Sequence, residues 1–363
     1  MKTSNNDNFD LISIISADPL KDADKFISDW LNQGFHADMH YLKKNHHKRV
    51  NPQKIMPRSK SVIIVAKNYY SEESNAYSPQ ESGSISKYAR FRDYHKQIEK
   101  MLKSLTHALQ QEFPNATTKS YVDHGPILEK GFAQKAGLGF IGKNTTLITP
   151  KFGSWVFLGS IITDIPPEKL QSSSQNISPQ SKTPPPKSAN PNPPAPCGDC
   201  QKCLTACPTK ALVAPYTLDA RKCISYLTIE NRGPIPPALR AKIGNNLFGC
   251  DICQQVCPFN QAATYSKPKL CDWPQVIPSN INPIEILELK TNEDFIAKFA
   301  GTPIIRAKFT GMIRNACIVS GNLKLKKALP HLKHWQKSQD AMISEHATWA
   351  IQQLPTPSPS SKY

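Results

Sequence analysis

Eight of the ten cysteines share one pattern of spacings. Cys197, Cys200, Cys203 and Cys207 are followed by Pro208, Cys223 stands alone, and Cys250, Cys253 and Cys257 are followed by Pro258. The first run reads C-x2-C-x2-C-x3-C-P, in which three thiolates on a tight loop hold a four-iron, four-sulfur cluster and the fourth reaches to a second one. In the second run Leu247 stands where the first cysteine belongs, and Cys223 is the substitute. This assigns Cys197, Cys200, Cys203 and Cys257 to one cluster and Cys207, Cys223, Cys250 and Cys253 to the other, so the chain is expected to move electrons. Zinc would favour two CxxC pairs across a long spacer, not a triple run ending in proline. Disulfides would need an oxidising compartment. The opening MKTSNNDNFD lacks the basic and apolar regions of a signal peptide, so a cytoplasmic location is expected. Cys271 and Cys317 fall outside the pattern and read as buried or free thiols.

These ligands need elements to position them, and 363 residues allow two or three domains with cores of their own. The longest apolar runs, SVIIVAKNYY and WVFLGSIITD, are strand-sized, so no membrane span is expected. The net charge of +17 is concentrated. No acid lies between Asp38 and Glu72, an interval with Lys43, Lys44, Lys48, Arg49, Lys54, Arg58, Lys60 and Lys67. Nor does one lie between Asp294 and Asp340, which enclose Lys298, Arg306, Lys308, Arg314, Lys324, Lys326, Lys327, Lys333 and Lys337. Either run alone is commonly a solvated face. Together, beside a redox centre, they suggest a polyanion such as a nucleic acid lying across two domains.

Residues 61–68 predict a buried strand, and Ile98, Met101, Leu102, Leu105 and Leu109 predict a helix over 93–112. Tyr121 and Val122 end a short strand, and Pro126 opens a helix over about 126–137 that runs into AGLGFIGKN. Apolar stretches 145–149 and 154–163 follow. Strands and helices mix without a βαβ repeat, which favours an α+β fold. Residues 166–196, rich in Pro, Ser, Gln and Asn, predict a flexible linker. Helical patterns at 311–320, 325–336 and 340–354 suggest a fragment of an α-solenoid, and PTPSPSSKY a disordered tail.

Three segments, YVDHGPILEKGFAQKAGLGFIGKN, PCGDCQKCLTACPTKALVAPYTLDARKCISYLTIE and GNNLFGCDICQQVCPFN, closely resemble epoxyqueuosine reductase, the family that completes the tRNA nucleoside queuosine. The likeness runs from about residue 40 to 260, and more weakly through a HEAT-like end. It implies a cobalamin-dependent two-electron reduction of epoxyqueuosine at the tRNA wobble position, with two [4Fe-4S] clusters reducing cobalamin to Co(I) and an external donor supplying the electrons. By this likeness Asp123, in Val122-Asp123-His124-Gly125, is the proton donor and a cobalamin contact. Arg49, Gly139, Lys143, Asn144, Leu147, Leu158, Ile161 and Ser225 are the other cobalamin contacts. Asp123 would need a raised pKa, which burial against the corrin would provide. Otherwise it would serve as a helix cap, and Leu158 and Ile161 as ordinary sheet core. His124 departs from the commonest family residue, which leaves open which group delivers the proton.

The expected layout is a cobalamin-binding α+β domain over 1–165, a linker over 166–196 and a ferredoxin-like two-cluster domain over 197–275. HEAT-like helices follow over 276–354, then a tail over 355–363, in a monomer. An electron carrier with docking domains would leave the corrin-domain motifs without a purpose. A zinc-bearing nucleic-acid module would leave Cys223 unexplained. A reductive dehalogenase would usually carry an export signal and need no basic faces.

Overall fold

The computed structural model describes residues 9–73, 77–78, 80–172, 196–265 and 270–355. Its larger sheet has four strands, Leu11–Ser16, Ser61–Asn68, Val156–Thr163 and Thr118–Tyr121 in that spatial order, every neighbour antiparallel. All eight residues of Ser61–Asn68 are buried because helices cover both faces, so the strand reads as a continuous apolar run, without alternation. On one face Ile63, Val65, Phe157 and Ile161 pack against Ile98, Met101, Leu102 and Leu109 of the helix Tyr94–Glu112. On the other, Val62, Ile64, Ala66 and Ile162 meet Phe132 and Ala133 of the helix Glu129–Lys135.

This second helix starts three residues later than Pro126 suggests. Residues 123–127 are turned by other bonds: Arg49 Nη1 donates to the Gly125 carbonyl at 3.1 Å, and Leu128 N–H donates to the Arg49 carbonyl at 2.7 Å. The expected linker also starts late. Pro167–Gln171 is a short helix, and Leu170 is buried with Ile165 against the larger sheet's core. Two apolar anchors suffice to order this end, although the composition around them is polar. The remainder of the expected linker, and all of the expected tail but Pro355, lie outside the described residues.

The cysteine-bearing segment is interlocked with what precedes and follows it. A small sheet joins Asn246–Phe248 in parallel to Gly83–Ile85, which pairs antiparallel with Asn280–Ile281. Leu247 is fully buried there, and a Cβ at Gly83 would lie 2.6 Å from the Leu247 Cβ. Position 247 is therefore core, which explains in packing terms why a cluster ligand does not sit there. Further on, Asp272 pairs with the buried Lys67 at 3.0 Å, and Trp273 stacks on Phe157.

Near the C-terminus come the helices Lys308–Asn322, Leu329–Gln336 and Ala341–Gln353. The first buries every residue from Gly311 to Gly321 and shares one core with Ile85, Leu247 and Phe248. It is an enclosed core helix, where a solenoid cap would leave one side free. Arg314, counted above in a basic run, is 1% exposed. Its guanidinium donates to the carbonyls of Leu227, Asn231 and Gly233, while Asn315 donates to those of Thr228 and Leu247. These bonds clamp the backbone between the lone Cys223 and the Cys250 run.

Candidate active site and thiol centre

The ten cysteines are all free. Among the described residues no three His, Cys, Asp or Glu side chains converge tightly enough to hold a single metal ion. Eight thiols instead form two looser groups. Burial is the main cause of raised thiol pKa values at Cys203 and Cys257, and the neighbours that add to it are Cys197 and Cys257 for the former, Cys197 and Cys200 for the latter. In the second group burial pushes Cys250 up to about 12, with Cys223 and Cys207 adding to the rise. Cys253 is raised by burial and then by Cys223 and Cys250. Cys203 also acts on Cys253, so the groups lie side by side. Cys207 differs: burial raises it, but hydrogen bonds from Thr209 and from Ala211 N–H, the latter at 3.3 Å, bring it below the usual thiol value. Thiols raised in this way stay protonated at neutral pH until iron displaces the protons.

The loop 140–148 reaches both cysteine runs. Lys143 Nζ donates to the Gly198 carbonyl at 2.5 Å, and Asn144 Nδ2 to the Cys253 carbonyl at 3.3 Å. Ser225 Oγ donates to the Cys250 carbonyl at 3.4 Å. Gly139 has a different reason from the expected approach to a flat cofactor, because a Cβ there would lie 2.2 Å from the Ile148 carbonyl oxygen. Leu147 and Ile161 are buried in the two cores of the sheet, so their side chains serve packing. Leu158 is half-buried on the same strand face as Ser160.

Asp123 lies just past the strand Thr118–Tyr121, with φ at 52°. Its side chain is 67% exposed, with one carboxylate oxygen against Tyr94 and His95. Burial raises its pKa, but hydrogen bonds from His95 and Tyr94 outweigh that and hold it below the usual carboxylate range. The protein's own groups thus favour the ionised form, and the rise expected from burial against a bound corrin would have to overcome them. Tyr94 Oη donates to Asp123 Oδ2 at 2.8 Å, and His95 Nε2 lies 3.5 Å from the same oxygen. The other nitrogen of His95 is 2.8 Å from Asp93 Oδ1. Burial lowers the His95 pKa, but these two carboxylates raise it to about 9. The proton beside Asp123 at neutral pH therefore sits on His95. His124 points elsewhere, 3.9 Å from Glu99. Tyr94, His95 and Glu129, whose Oε2 accepts the Asp123 N–H at 3.0 Å, were not among the candidates. The one local signal was Asp93, a helix N-cap two residues before His95.

Arg49 Nε is buried without a partner, although Nη1 and Nη2 are used on the Gly125 and Tyr41 carbonyls. An orphan donor of this kind is costly unless something binds it. Arg306 joins the same rim: it holds Glu230 through two bonds, at 2.7 and 3.0 Å, and acts electrostatically on both Tyr41 and Asp123. The two basic segments thus meet near Asp123, but not all their cations form a face. Lys67 and Arg314 are internal, and Lys298 is paired with Glu285 at 2.7 Å. Half-buried Tyr88 has its ring centroid 6.3 Å from that of Tyr94, which bonds Asp123, and 6.3 Å from that of Phe248, two residues before Cys250, while the neighbouring Lys87 N–H donates to Asp251 Oδ2 at 2.8 Å. A chain of contacts thus runs from the aspartate to the segment that carries the second thiol group.

Residues 49–124 match the family described as "Epoxyqueuosine reductase QueG, DUF1730", and residues 196–260 a "4Fe-4S double cluster binding domain". The epoxyqueuosine reductase of Synechocystis is 38% identical over 84% of this chain and 98% of its own. That of Pseudomonas aeruginosa is 35% identical over 93% and 89%. The crystal structure of an epoxyqueuosine reductase with an epoxyqueuosine-modified tRNA-Tyr stem loop superposes with a TM-score of 0.81 at 30% identity, covering 96% of this chain and 87% of that one. The Bacillus subtilis enzyme, with its catalytic aspartate loop swung out of the active site, gives 0.81 at 29% identity over 96% and 88%.

Proposed function

The chain belongs to the epoxyqueuosine reductase family, and from that premise we propose that Asp123 and the two thiol groups are the working parts of its tRNA-modifying site. It is an oxidoreductase that binds iron-sulfur clusters and reduces epoxyqueuosine in tRNA to queuosine. The balance is an epoxide plus two electrons and two protons giving an alkene and water. We place one [4Fe-4S] cluster on Cys197, Cys200, Cys203 and Cys257 and the other on Cys207, Cys223, Cys250 and Cys253. The observation that carries the site assignment is the run of contacts that joins Asp123, through Tyr94 and Tyr88, to Phe248 and Asp251 beside Cys250.

Cobalamin fits the same cleft, because Arg49 offers a buried donor without a partner and Asp123 faces open space. When bound it supplies the low-potential chemistry that removes the epoxide oxygen. Arg49, Leu158, Asp123 and Ser225 would hold it, with Lys143 and Asn144 fixing the loop against the cluster segments. Gly139, Leu147 and Ile161 would shape the site through packing. Burial against the corrin would favour passage of the His95 proton to Asp123, which would then give it to the departing oxygen while Tyr94 orients the carboxyl, and His95 would take up a proton from solvent for the next turn. An external donor would supply the electrons, which the two clusters would relay one at a time to the cleft. The division into corrinoid, two-cluster and HEAT-like parts in a monomer belongs to this same reading. No helix among the described residues is long and apolar enough to cross a membrane.

The test is anaerobic incubation with cobalamin, a strong reductant and epoxyqueuosine-containing tRNA, then mass analysis of the nucleosides. A product lighter by one oxygen is expected, and its absence would sink the reading. Lys324, Lys326 and Lys327 are exposed, and only the last has an acid near it, Glu81 at 3.8 Å. Changing all three to glutamate is expected to weaken tRNA binding at least about tenfold at low salt and to flatten the salt dependence. Unchanged affinity would return this segment to a solvated face.

A further inference from the structure

Glu129 opens its helix, where a glutamate ordinarily faces solvent or the first free amides of its own helix. Here it reaches back six residues. Its Oε2 accepts the Asp123 N–H at 3.0 Å, and its Oε1 lies 3.4 Å from Ser160 Oγ on the central strand Val156–Thr163. The turn it touches is strained. Asp123 has a φ of 52° and is followed by a tight contact of His124 N–H with the Val122 carbonyl at 2.5 Å. A non-glycine residue in the left-handed region is strained, and such turns persist only where their surroundings hold them. Arg49 holds the far side of this turn through the Gly125 carbonyl. Glu129 is the side-chain partner on the near side, and Ser160 joins it to the sheet.

We propose that Glu129 is the positioning residue for Asp123: by accepting the Asp123 N–H it keeps the 123–126 turn folded with the carboxyl aimed into the cleft. The proposal rests on the reading of Asp123 as proton donor. Burial raises the Glu129 pKa well above the usual range, and the Asp123 charge adds to that. A neutral carboxyl still offers an acceptor oxygen to the amide, so the latch does not need the ionised form. It follows that glutamine, which keeps an acceptor in the same place, should substitute and alanine should not.

The experiment compares E129A and E129Q in the full-length, cluster-loaded protein by amide hydrogen exchange over residues 121–128 and by single-turnover reduction of epoxyqueuosine-containing tRNA. E129A is expected to raise exchange at Asp123 about tenfold and to slow reduction by about 10- to 100-fold, the loss typical of a catalytic group displaced by about 1 Å. E129Q is expected to stay within about threefold of the parent in both, with iron content unchanged in either variant. Unaltered exchange in E129A overturns the latch. So does an E129Q that is as slow as E129A without faster exchange, because that pattern assigns Glu129 to proton transfer. Exchange is read without substrate, so it stays informative should Asp123→Asn turn over normally and the donor reading itself fail.

Discussion

Asp123→Ala is expected to bind cobalamin, carry its full iron and bind tRNA, yet reduce epoxyqueuosine about a thousandfold more slowly than the parent. General acid catalysis contributes roughly 10²- to 10⁴-fold, and a departing alkoxide at neutral pH lies within that range. A thousandfold is about 4 kcal/mol of barrier, more than packing around a two-thirds exposed side chain can explain. The measurement is single-turnover quench with nucleoside mass analysis, set beside visible absorbance and iron content. Normal turnover would remove Asp123 as the donor. The same experiment has a pH arm. In the protein alone Asp123 is held ionised by His95 and Tyr94, and His95 is protonated up to about pH 9. Rates should therefore fall as pH rises through about 9, where the proton reserve on His95 is lost. In His95→Gln the rate should be lower at pH 7 and lack that fall. A profile with the same descending limb in both proteins would take His95 out of the proton path.

The double-cluster segment was legible because cluster binding is written in short spacings, and residues three or four apart lie on one loop whatever the rest of the chain does. The place of Asp123 at a strand end was legible through the segment around it, but its electrostatic state was not. Its partners Tyr94 and His95 lie 28 or more positions away and meet it only because a strand and a helix end converge. Glu129 was hidden for the opposite reason: it looks like any acid in a first helical turn. Gly139 was noticed for the right property and the wrong neighbour, since a glycine records that something comes close without recording what. Charge counting likewise cannot tell side from side. Arg314 looked like part of a basic face and is instead a buried clamp on five backbone carbonyls together with Asn315. The short helix Pro167–Gln171 was averaged away by the polar sequence around it.

Cys223→Ala is expected to cost the second cluster and with it nearly all turnover. Iron per chain should fall by about half and visible absorbance with it, while tRNA affinity stays unchanged. Reduction with a strong chemical reductant should drop at least about a hundredfold if, as proposed, the second cluster relays electrons to the cleft. Cys271→Ala and Cys317→Ala should lose no iron. Full iron in Cys223→Ala would overturn the ligand assignment, and a colourless parent protein containing zinc would overturn the cluster reading altogether. The sharper arm adds Leu247→Cys to Cys223→Ala, restoring the spacing of an uninterrupted ferredoxin run. No recovery of iron is expected. Leu247 is 0% exposed, its Cβ packs against Gly83, and its carbonyl accepts from Asn315, so a thiol there points into the shared core with the helix Lys308–Asn322. To reach the iron it would have to turn out of the small sheet, breaking the pairing of Asn246–Phe248 with Gly83–Ile85. Cys223, at the start of the helix Ile224–Ile229, needs no such movement, because burial and the bonds from Arg314 and Asn315 already hold that helix beside Cys250.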